Sequence, residues 1–170
     1  MNEALTPYTP PQGVTLVDIR MDANRFPRIK TLSMQSAVAR LEQVLLMAYT
    51  YTGRPAQEGR TRAVASALYN ELLEDKKHLG LANITIEEVA HAVKDAILQA
   101  DREDIYINIA FLYKAVCAYA LGEGHDAQQT AYKRKVAERQ RKLDATPAGT
   151  MLTAYAGALL KESNPNLNSK

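Results

Sequence analysis

The sequence predicts an all-α protein, a compact bundle of five to six helices with an extended N-terminal arm. From residue 33 to about residue 160, apolar side chains recur at three- and four-residue spacings, the repeat that puts them on one face of a helix. No two neighbouring segments alternate polar and apolar residues as a paired sheet would. The size agrees: 170 residues, 46% hydrophobic and 24% charged, carry apolar surface for one packed domain and little for a second. The expected layout is an arm over residues 1–31, a helical domain over 32–162 and a frayed tail over 163–170.

Pro7, Pro10, Pro11 and Gly13 mark the arm, since proline removes backbone donors and fixes extended dihedrals. Thr15 to Arg20 alternates weakly and has no partner strand, so it is expected as an extended segment lying across the helices. Met34, Val38, Leu41, Leu45 and Ala48 form the stripe of a first helix, opening near Ser33 and closing at Gly53. After Arg54-Pro55, Val64, Leu68 and Leu72 with Ala65 and Tyr69 form a second, running to about Lys77. Thr85-Ile86-Glu87-Glu88 matches a capping box, which starts a third helix at Ile86 with Val89, Ala90, Val93 and Ile97 inward. Ile109, Leu112, Tyr113, Val116 and Ala120 build a fourth, stopped by Gly122 and Gly124; as the most apolar helix it is the expected centre. A fifth, about residues 126–144, is rich in helix formers and poor in apolar residues, which predicts an exposed helix. Beyond Pro147 and Gly149, residues from Met151 to Leu160 give a short last helix, about 150–161, whose apolar face can close the core or dimerise.

The net charge of +2 is too close to neutral to identify a nucleic-acid protein by bulk charge, so any electrostatic argument is local. No signal-peptide pattern and no membrane span is expected, which predicts a cytoplasmic protein without a membrane partner. The single cysteine, Cys117, excludes an intramolecular disulfide and a multi-thiolate zinc site. Its place in the most apolar helix reads as a small buried hydrophobe.

The strongest local signal is Tyr132-Lys133-Arg134-Lys135-Val136-Ala137-Glu138-Arg139-Gln140-Arg141-Lys142, with six basic residues and one acidic. Its net +5 exceeds the charge of the whole chain, and the stretch from Arg54 to Asp104, with seven basic and ten acidic residues, carries −3. On a helix, Arg134, Arg141, Lys135, Lys142 and Arg139 can meet several phosphates at once, and Tyr132 suits stacking on a single strand. The other reading of the same run is a solvated helix, or one that meets acidic protein.

Elsewhere the chemistry is sparse. His78, His91 and His125 are scattered, and Glu87 and Glu88 before His91 do not make a two-histidine zinc pattern; no metal and no cofactor is expected, and His91 is expected to pair with Glu87. Gly122-Glu123-Gly124 lacks the lysine and hydroxyl of a nucleotide loop. Asp101, Glu103 and Asp104 have no calcium-loop spacing. Thr85 to Ala120 has the outline of a helix-turn-helix, but the connection is too long and the second helix is apolar where base-reading side chains should project. Tyr8 among the prolines of the arm is a feature that a partner could dock on. No set of residues assembles a general acid, a base and an orienting group, so no catalytic residue is expected.

From Ile84 onward the order of parts is the capped Thr85-Ile86-Glu87-Glu88 helix, then Asp104-Ile105-Tyr106-Ile107-Asn108 leading to an apolar helix ending Val116-Cys117-Ala118-Tyr119-Ala120, then a basic helix rich in Gln and Arg. This pattern, over about residues 80–145, resembles uncharacterised helical proteins of phages and mobile elements in Bacteroides-type bacteria, some of them suspected of a helicase-loader-like role in DNA replication. The resemblance implies an accessory role without catalysis and directs the basic helix toward DNA or a replication protein. The competing expectation is an adaptor or inhibitor that docks on an acidic protein surface.

Overall fold

The computed structural model describes residues 6–56, 59–100 and 105–145, and every regular element among them is helical. The order is α1 (Leu16–Met21), α2 (Met34–Thr52), α3 (Arg60–Glu74), α4 (Ile86–Gln99), α5 (Ile109–Leu121) and α6 (Glu123–Asp144), with short 3-10 turns at Ile29–Thr31 and Leu81–Asn83. No helix among the described residues is long and apolar enough to cross a membrane. The chain forms two units, residues 1–129 and 130–170, and α6 begins in the first. The expected last helix, the tail, and the acidic run from Asp101 to Asp104 lie outside the described residues.

The caps explain where the helices start. Ser33 Oγ accepts from the Ser36 amide at the head of α2, and Asn108 Oδ1 accepts from the Phe111 amide at the head of α5. Thr85 and Glu88 form the predicted capping box, each side chain accepting from the other's backbone amide. Gly53 closes α2 at φ +66, a left-handed conformation that costs glycine little. Asp75 ends α3, earlier than Lys77, and its carboxylate accepts from the amides of Leu79, Gly80 and Leu81. Pro55 does not open α3, which starts at Arg60 behind Gly59.

The arm departs from expectation. Thr15 to Arg20, predicted extended, is instead the cap and most of α1, because Thr15 and Asp18 make a second capping box. Ile19, Phe26 and Ile29 are buried, so this segment belongs to the core rather than to a free arm. The Ile29 amide donates to the Ile84 carbonyl beside a single antiparallel bridge between Arg28 and Thr85. Farther out, the Tyr8 amide donates to the Gln43 carbonyl of α2.

The core of residues 1–129 is a bundle with α2 and α4 at its centre. Each buries eight residues, against five in α5, which leaves Leu121 and Ala118 exposed. Mean apolarity therefore did not identify the central helix; a concentrated apolar face did. Leu41 and Leu45 of α2, Leu68 and Leu72 of α3, Ile97 of α4 and Leu112 of α5 meet with no more than 1% exposure. Met34 is 52% exposed and does not belong to the α2 stripe.

Candidate functional site

The predicted residues lie on the second half of α6, in the unit that starts at Thr130. Tyr132, Lys133, Arg134, Lys135, Arg139, Arg141 and Lys142 are all exposed, as is every other side chain from Tyr132 to Asp144. At 3.6 residues per turn, Arg134, Arg141, Lys142, Lys135 and Arg139 fall within an arc of roughly 160°, with Lys133 set apart. The cations thus form one broad face and not a full collar. Glu138 lies inside that face and pairs with Lys142 at 3.2 Å, one turn on. Tyr132, 70% exposed, borders the face on the Arg139 side and continues into Val136 and Leu143, which are 46% and 57% exposed. The second half of α6 therefore offers a cationic face with an apolar edge.

In residues 1–129 the polar chemistry centres on Glu88, which is fully buried. Its Oε1 accepts from Arg20 Nε and, at 2.7 Å, from the Tyr119 hydroxyl; its Oε2 accepts from the Thr85 amide and lies 3.6 Å from Arg28 Nη1. Arg20 also donates to Gln128 at 3.3 Å, and Arg28 Nη2 donates to the Arg20 carbonyl at 2.9 Å. Burial pushes the Tyr119 phenol well above its ordinary value, and the adjacent Glu88 carboxylate pushes it further. Burial lowers the Arg28 guanidinium from its ordinary value, with the Glu88 charge opposing that shift. This network joins α1, α4, α5 and the start of α6.

One turn along α4 from Glu88, His91 does not pair with Glu87, which is buried. Its Nε2 lies instead 2.8 Å from Glu123 Oε2 at the start of α6 and 3.2 Å from Asp95 Oδ2. The His91 ring meets the edge of Tyr119 at 5.9 Å between centroids and 74° between planes. Asp95 and Glu123 line a groove of about 210 Å³ with Ala92, Gln99, Tyr119 and Gly122. Sequence reasoning missed this cluster. His91 and Asp95 carry a visible i, i+4 spacing, whereas Glu123 is 32 residues from His91 and only folding brings it in.

The remaining candidates stay apart. His78 and His125 are exposed, and His125 lies 2.8 Å from the Gln129 amide. Cys117 is a buried free thiol, as expected of a small core residue. In α5, Leu112 and Val116 are fully buried, so the side chains that a recognition helix would need to project are spent on the core. Against known proteins, no family model, no curated protein and no solved structure matches this chain.

Proposed function

We propose that this is a non-catalytic accessory protein of the cytoplasm that contacts nucleic acid, or a replication complex on nucleic acid, through the basic half of α6. The observation that carries this reading is the wholly exposed run from Tyr132 to Lys142, with six cations, one carboxylate and five of the cations on one face. A helix that buries none of these side chains has no folding reason to concentrate like charge, which costs self-repulsion. A polyanion removes that cost and gains the entropy of released counterions. Tyr132 at the edge of the face is placed to stack on an unpaired base.

The test is fluorescence anisotropy with labelled single- and double-stranded DNA. About four phosphate contacts predict an affinity loss on the order of 100-fold between roughly 50 and 200 mM salt. Changing Lys133, Arg134, Arg139 and Arg141 together to Gln should abolish the binding and leave the helical circular dichroism unchanged. A folded wild-type protein that binds neither DNA at low salt defeats the proposal. A second reading, docking on an acidic protein surface, is favoured by the exposed apolar edge of Tyr132, Val136 and Leu143, because protein interfaces use apolar contact that phosphates do not offer. Binding that survives high salt but falls on changing Val136 and Leu143 to Ser selects that reading.

A further inference from the structure

Away from the basic half of α6, one cluster has the composition of a ligand set. His91 and Asp95 stand one turn apart on α4, Glu123 opens α6, and their donor atoms all lie within 4.8 Å of one another. The two oxygens lie 2.8 and 3.2 Å from the same nitrogen, His91 Nε2. A ring N–H points one proton in one direction, so it serves only one of these oxygens at a time. Both nitrogen–oxygen distances match the roughly 3 Å separation of donors bound at about 2.0–2.2 Å around one ion, and a cation between them would engage all three groups.

The geometry points to a site for a single divalent cation of the zinc class, held by His91 Nε2, Asp95 and Glu123, that clamps the first turn of α6 to α4. Charge fits, since a neutral imidazole and two carboxylates present −2 to a 2+ ion. Hardness fits too: calcium and magnesium prefer shells made only of oxygen, whereas one imidazole nitrogen with two carboxylates suits zinc, manganese or iron. Three protein donors leave at least one position for water, and the side-chain exposures of 34% for His91, 33% for Asp95 and 60% for Glu123 leave room for it. The groove beside Asp95 and Glu123 gives the ion a way in. The imidazole is oriented before the ion arrives, because Tyr119 meets it edge-on and is itself held by Glu88.

The test uses the full chain, stripped with a chelator and titrated with zinc chloride by calorimetry and against a chromophoric competitor. One ion per chain should bind with a dissociation constant of about 10 µM or tighter. His91→Ala and Glu123→Gln should each weaken it at least tenfold, while His78→Ala and His125→Ala leave it unchanged. Zinc should also raise the melting temperature of the wild type and not of Glu123→Gln. The Glu123 variant decides the matter, since its side chain is largely exposed and its loss leaves the core intact. No wild-type binding in this range, a stoichiometry other than one, or equal affinity in wild type and Glu123→Gln would overturn the proposal.

Discussion

Glu88 is a central polar contact of the fold, because one carboxylate accepts from a guanidinium, a phenol and a backbone amide and lies in ion-pair range of a second guanidinium, without access to water. A buried charge is tolerated only while it is paired and hydrogen-bonded. Glu88→Gln keeps the shape and removes the charge, leaving Arg20 and Arg28 uncompensated. The expected loss is roughly 3–5 kcal/mol in urea unfolding, and a change below about 1 kcal/mol would show that the arginines find other partners. Part of this was legible: Thr85-x-x-Glu88 reads as a capping box. The rest was not, since Arg20 lies 68 residues from Glu88 and nothing local distinguishes it from a surface arginine.

The elements were legible where their signals are local. Caps and three- to four-residue periodicity act over a few residues, which is why α2, α4 and α5 start within a residue or two of expectation. For α1 two local signals compete: Leu16, Val17 and Ile19 suggest a strand, Thr15 and Asp18 a cap, and burial of Ile19 with the Arg20–Glu88 pair selects the helix. Gly124, expected as a helix stop, sits inside α6 for a different reason. A Cβ there would lie 2.7 Å from Tyr119 Cε1 and 3.0 Å from the Tyr119 carbonyl oxygen. Tyr119 cannot swing aside, because Glu88 holds its hydroxyl. Gly124→Ala, although better for an isolated helix, should therefore cost about 1–3 kcal/mol in denaturant unfolding; a stabilised variant would mean that α6 does not pack this closely.

At the scale of the whole molecule, stability at high pH should depend most on two tyrosines. Burial raises the phenols of Tyr8 and Tyr119 above their ordinary value of 10.0, with Glu87 adding to the first and Glu88 to the second. In the unfolded chain both lose their protons near that ordinary value, so above it the folded state binds more protons than the unfolded one. Stability is then fully present below about pH 10 and lost as pH rises further. The urea midpoint should be level from about pH 7 to 9 and fall beyond about pH 10, less steeply in Tyr119→Phe; a level midpoint to about pH 11 would contradict the burial of both phenols. By itself the sequence determined the helical class, the starts of α2, α4 and α5 and the exposed basic run, because caps, periodicity and charge density act between near neighbours in the chain. Only the tertiary structure decided that α1 joins the core, that two arginines meet Glu88, and that Glu123 meets His91 and Asp95. Those contacts join residues 28 to 68 positions apart, and which distant partners meet is set by the packing of whole helices.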